Sequence, residues 1–171
     1  MNIDTLKIVR KANKIVTMCG TRDPNCIAKQ LGIQVLRCKF KAQKGAYKII
    51  LRNRFIFLSD TLSPTMETIV LAHELGHDAL HRSEAMKVGG FQEFNLFDMT
   101  GLRMEYEANI FAAQLTLEDN EFLDLCERGF DTQQIATALH SDINLVALKA
   151  DTLISQGFRL RRQEHNNRFL R

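Results

Sequence analysis

The chain has 171 residues, 45% of them hydrophobic and 25% charged, with a formal net charge of +3. That length suits one domain with a core of its own, the composition is that of a globular protein, and no apolar run approaches the roughly 20 residues needed to span a bilayer. The charge is segmented: residues 1–54 carry +11, residues 55–157 carry −12 and residues 158–171 carry +4, which reads either as a basic nucleic-acid face or as a basic segment folded against an acidic one.

Residues 2–19 place Ile3, Leu6, Ile8, Val9, Ala12, Ile15 and Val16 at helical spacing, which predicts an amphipathic helix. Asp4, Lys7, Arg10, Lys11 and Lys14 interrupt that run, so no signal-peptide core is expected and the protein is expected in the cytoplasm. Asp23-Pro24 starts a short helix that Gly32 ends. The alternation from Gln34 to Phe40 predicts a strand, Lys44-Gly45 a turn, and 47–51 and 55–58 two more strands joined through Arg52-Asn53-Arg54 as a hairpin. Ser63 and Pro64 open a helix to about Arg82, with Ser63 as its cap and Glu67 in its first turn. Residues 83–101 break the periodicity with Gly89-Gly90, Phe91, Phe94, Phe97, Met99 and Gly101. They read as a long loop, either a flap over a cleft or a packed cover. A helix over 102–117 follows, then shorter ones near 119–128, 132–140 and 142–156. Helix, strands, then helices imply an α+β fold.

The residues that carry chemistry are His73-Glu74-Leu75-Gly76-His77, an H-E-x-x-H sequence in the middle of the predicted helix. Residues four apart share a helix face, so both imidazoles can meet one ion. Zinc accepts such nitrogen ligands in a tetrahedron, and Glu74, beside the first histidine, is placed to take a proton from the water that zinc activates. Two histidines under-hold the ion. The position for a metzincin-type third histidine is Ser83, and His81 lies a turn beyond His77 and reads as an outer residue or helix end. A carboxylate on the next helix remains. Glu105 and Glu107 point about 200° apart, so only one can face the ion. Glu105 shares its face with Asn109, which can accept the N–H of a ligating histidine. That favours Glu105, with Glu107 in reserve.

The stretch Leu71-Ala72-His73-Glu74-Leu75-Gly76-His77, with Leu80-His81 and then Glu105-x-Glu107-Ala108-Asn109-x-Phe111-Ala112-x-x-Leu115, resembles the ImmA/IrrE metallopeptidases over roughly residues 25–155. The resemblance implies a thermolysin-like site on a small antiparallel or mixed sheet, an HExxH zinc helix and a ligand helix. It places zinc ligands on His73, His77 and Glu105 and the general base on Glu74. It also implies a helix-turn-helix-like end and a helix-turn-helix transcriptional repressor as protein substrate, of a phage, mobile element or stress regulon. One departure is Thr116, where the family often has a second Leu or Ile.

The expected layout is a zinc metallopeptidase domain over 1–128, a helix-turn-helix-like segment over 129–157 and a basic tail over 158–171. In that segment the second helix offers only Lys149 against Asp142 and Asp151. Phosphate contacts need Lys and Arg, so direct DNA binding is not expected. His81, Arg103 and Tyr106 are candidates for the oxyanion donor. Cys19, Cys26, Cys38 and Cys126 lack Cys-x-x-Cys spacing and are expected as reduced, buried thiols. The competing reading is a non-catalytic regulator that binds a repressor or DNA through a metallopeptidase-like fold.

Overall fold

The computed structural model describes residues 4–88, 91–93 and 103–160. The first helix, Thr5–Cys19 (α1), is capped by Asp4, whose carboxylate accepts the Lys7 N–H at 3.1 Å, and it ends on Gly20 in the left-handed conformation. Ile8, Val9, Ala12 and Ile15 form its buried face. Asp23 caps Pro24–Gln30 (α2). Three strands follow: Gln34–Cys38 (β1), Gly45–Ile50 (β2) and Asn53–Ser59 (β3).

Two details of the predicted hairpin are corrected. Gly45 begins β2 instead of making a turn, and the connector is Leu51-Arg52, with Asn53 and Arg54 already in β3. Leu51 and Arg52 have φ of 49° and 66°, as a two-residue primed turn requires at both central positions. Neither residue is the usual Asn or Gly, so the turn left no compositional mark. Leu51 is 91% exposed.

Ser63 caps Pro64–Leu80 (α3), accepting from the Met66 N–H at 3.3 Å. Every residue from Ile69 to Asp78 is buried, so this helix is covered on all sides. Residues 83–101 are not one long loop. Arg82–Val88 forms α4 and Phe91–Glu93 forms β4, whose backbone pairs antiparallel with Gly45–Tyr47 of β2. A three-residue strand is too short to print a period on the sequence, while unpaired backbone groups along β2 make the pairing favourable. Gly89-Gly90, Phe94, Phe97, Met99 and Gly101, and with them the flap expectation, lie outside the described residues.

The sheet is mixed, in the order β1-β3-β2-β4, with β1 parallel to β3 and the other pairs antiparallel. It covers one side of α3. The other side meets Arg103–Thr116 (α5), which in turn packs on α1 and on the last helix. Those final helices are Asp119–Glu127 (α6), Thr132–Ala138 (α7) and Ile143–Ser155 (α8). Asp131 and Gln134 form a reciprocal capping box at α7. The core is continuous from Ile8 in α1 through Tyr47, Leu71 and Phe111 to Leu153 in α8.

The charge segmentation is partly internal pairing. Arg37 on β1 meets Glu67 on α3 at 2.6 Å, and Arg54 on β3 meets Asp78 at 3.0 Å. Arg22 donates to the Gln114 and Leu115 carbonyls at the end of α5. Cys26 is exposed and the other three cysteines are half-buried and unbridged, so the expectation of buried thiols fails, most clearly at Cys26. Among the described residues no helix is long and apolar enough to cross a membrane.

Candidate metal centre

Two small residues set the geometry. Gly76 faces Ala108, and a Cβ on Gly76 would lie 3.1 Å from both the Ala108 Cα and its carbonyl oxygen. That contact lets α3 and α5 approach backbone to backbone. Glu105, just under one turn before Ala108, is thereby brought to the histidine face of α3.

His73 and His77 are fully buried, and Glu105 is largely so. His73 Nε2 lies 3.0 Å from His77 Nε2 and 3.1 Å from Glu105 Oε2, and His77 Nε2 lies 3.5 Å from Glu105 Oε1. A tetrahedral zinc with bonds near 2.05 Å separates neighbouring ligand atoms by about 3.3 Å; the 3.0 Å between the two imidazole nitrogens is close to such an edge, and the two Glu105 oxygens reach one histidine each, within the range that one ion can bridge. Among the described residues, this is the group of His, Cys, Asp and Glu side chains that converges closely enough to hold an ion. The donor set, two imidazole nitrogens and a carboxylate, suits zinc. Burial pushes the His77 imidazole down to about pH 4, against the opposing pull of the Glu105 carboxylate, and so keeps it neutral at physiological pH, the form that ligates.

The surroundings sort the expected residues. His73 Nδ1 lies 2.8 Å from Asn109 Oδ1. An amide oxygen only accepts, so His73 donates from Nδ1 and leaves its Nε2 lone pair towards Glu105. Glu107 faces away from the triad, 2.9 Å from His81 and 2.5 Å from Arg103. Burial would raise the Glu107 carboxyl, but hydrogen bonds from His81 and Arg103 outweigh it and hold it below its usual range. Of the oxyanion candidates, His81 and Arg103 are thus joined to Glu107. Tyr106 is half-buried, its hydroxyl raised by burial and by Asp151 of α8.

Glu74 is fully buried on α3. Its carboxylate sits directly beneath Gly45 of β2, where a Cβ would fall 2.6 Å from Oε1. The sequence reading missed this glycine's role, taking it for a turn. It also missed Asp78, which follows His77. Asp78 is buried and accepts from the Tyr47 hydroxyl at 2.7 Å, from Arg54 at 3.0 Å and from Arg82 at 2.7 Å. These bonds fasten the sheet to the histidine helix. The signal available was Arg54 at the end of the basic segment and Asp78 as a further charged residue in the helix beside His77. Lys149, the one cation of α8, is fully buried, donating to Gln114 at 2.7 Å and paired with Asp119, so it presents nothing to phosphate.

The profile of the IrrE N-terminal-like domain, peptidase family M78, matches residues 28–150, and the chain belongs to this ImmA/IrrE family. It is 31% identical over 107 residues to the "uncharacterized immunity region protein 2" of Bacillus phage phi105, a match covering 62% of this chain and 65% of that protein. It is 36% identical over 73 residues to the metallopeptidase ImmA of Bacillus subtilis strain 168, covering 41% of this chain and 40% of that one. The chain therefore spans 65% and 40% of the length of these curated relatives.

Proposed function

We propose that the protein is a zinc endopeptidase that cleaves a helix-turn-helix transcriptional repressor at a specific site. The observation that carries the reading is the convergence of His73, His77 and Glu105, with ligand atoms within 4.8 Å of one another, beside the buried Glu74. Membership of a peptidase family supports it. The names of the two relatives, a metallopeptidase and a phage immunity-region protein, support a repressor of a phage or mobile element as substrate, and a DNA-bound substrate implies action in the cytoplasm.

In this reading His73, His77 and Glu105 hold zinc. When bound there, zinc supplies Lewis-acid polarisation of the scissile carbonyl and acidifies a water. Glu74 takes a proton from that water at its carboxylate and returns it to the departing amine nitrogen. Its burial excludes competing solvent, and the contact with Gly45 fixes where the carboxylate can stand. Asn109 orients His73 through Nδ1. Residues 1–128 carry this chemistry, residues 129–157 brace it as a helix-turn-helix-like segment, and 158–171 form a basic tail.

The test is incubation of the zinc-loaded protein with helix-turn-helix repressors from its own genome, with fragments read by mass spectrometry. Wild type yields one cut, while Glu74→Gln keeps its zinc and yields none. An intact repressor that stays bound to a zinc-loaded wild type supports the non-catalytic regulator instead. Unchanged cleavage by Glu74→Gln ends the assignment of the base.

A further inference from the structure

We propose that His81 and Glu107 form a relay that locks His77 in the tautomer protonated on Nδ1, which leaves its Nε2 lone pair towards His73 and Glu105. The inference rests on the zinc reading above and assigns work to two residues outside the ligand set. It starts at Glu107. Arg103 Nε lies 2.5 Å from one Glu107 oxygen and His81 Nε2 lies 2.9 Å from the other. An ionised carboxylate only accepts, so His81 donates from Nε2. A neutral imidazole with its proton on Nε2 has a lone pair on Nδ1. His81 Nδ1 lies 3.2 Å from His77 Nδ1, so with His81 in its neutral form the proton between them belongs to His77 and His77 Nε2 is the bare nitrogen, whereas a doubly protonated His81 would reverse the assignment.

The relay is built from the helix itself. His81 is the C-cap of α3, with its backbone N–H on the His77 carbonyl, which sets its ring against the ring of the residue one turn earlier. The ring centroids are 5.3 Å apart. His81 is only 4% exposed, so bulk water does not compete for Nδ1. Glu107 comes from α5, the helix that also supplies Glu105 and Asn109. One helix thus orients both imidazoles: His73 directly through an amide, and His77 through an intervening imidazole from a carboxylate. Glu105 and Glu107, which point apart on their helix, meet successive turns of the same histidine row. Partners of this kind fix ring orientation and raise ligand basicity, and their removal costs about 10–100-fold in metal affinity.

The experiment uses the full chain. Long-range proton–nitrogen NMR on the metal-free wild type reads which nitrogen of His77 carries the proton, and chelator competition gives zinc affinity for wild type, His81→Phe, His81→Gln and Glu107→Ala. The expected result is a proton on Nδ1, a loss of about 10–100-fold in zinc affinity for His81→Phe and Glu107→Ala, and recovery to within about threefold of wild type in His81→Gln, whose carbonyl can accept from His77. A purely structural His81 would lower thermal stability without moving the tautomer or being rescued by Gln. A His77 proton on Nε2 in the wild type, or wild-type affinity in a folded His81→Phe, overturns the relay. If His81→Phe does not fold, the wild-type tautomer and Glu107→Ala decide. A wild type that takes up no zinc defeats the zinc reading, and the tautomer in the metal-free chain still decides the relay.

Discussion

Replacing Gly45 by alanine tests how the base is held. The added methyl carbon would lie 2.6 Å from Glu74 Oε1, 2.6 Å from Val70 Cγ1 and 3.3 Å from Glu74 Cδ. Non-bonded carbon contacts settle near 3.5–4.0 Å, so something must move by about 1 Å. The strand is poorly placed to move, since Gly45 is registered with Leu58 on β3 and with Glu93 on β4. The Glu74 side chain yields first. A misplacement of about 1 Å at a reacting group costs about 10²-fold in rate, equivalent to about 2.7 kcal/mol of barrier. The same crowding lowers stability by about 1–3 kcal/mol, or a few degrees in melting temperature for a chain of this size. The assay is single-turnover repressor cleavage by zinc-loaded protein well below the melting temperature, with zinc content measured in parallel. The expected outcome is full zinc, a folded protein and a rate down by about two orders of magnitude. Wild-type cleavage by Gly45→Ala would refute the argument that this strand positions the base.

Three further outcomes follow from other parts of the structure. Tyr47→Phe removes one of the donors to the buried Asp78 while Arg54 and Arg82 remain; a charged acceptor losing one bond predicts about 2 kcal/mol of destabilisation, read from the denaturant midpoint, with no loss refuting the anchor. Asp119→Ala leaves the ammonium of the fully buried Lys149 without its anion, which predicts a loss of about 3 kcal/mol in the same measurement, and an unchanged midpoint would show that Gln114 alone satisfies the lysine. The basic segment over 1–54 contains β1 and β2, and on the proposed peptidase reading an acidic stretch of substrate is favoured beside them. Raising salt, which screens exposed charges beyond about 10 Å at 0.1 M, is expected to raise KM with zinc content and kcat unchanged, and a salt-independent KM contradicts that preference.

The helices were legible because their signals are local. Ser63-Pro64, Asp23-Pro24 and Asp131 with Gln134 announce their caps within a few residues, and the four-residue spacing of His73 and His77 already implies a shared face. Glu105 could be preferred over Glu107 because it shares a helix face with Asn109, and the structure brings Glu105 to both histidines. What depended on tertiary contact was not legible. Gly45 resembles a turn glycine until α3 is seen beneath it, and β4 is too short to show a period. The turn at Leu51-Arg52 is imposed by strand pairing against both residues' preferences. Asp78 becomes intelligible only once Tyr47 and Arg54 arrive from the sheet. The +11 and −12 segments, which a chain-wide total of +3 conceals, are explained in part by Arg37 with Glu67 and Arg54 with Asp78.

Whether His73, His77 and Glu105 make one zinc site is read by zinc-edge X-ray absorption on the purified chain. One zinc per chain is expected, with only nitrogen and oxygen neighbours at about 2.0–2.1 Å, two of them imidazoles, and with loss of the bound metal in Glu105→Ala. Sulfur neighbours at about 2.3 Å, or full zinc retained in the variant lacking Glu105, would contradict that site.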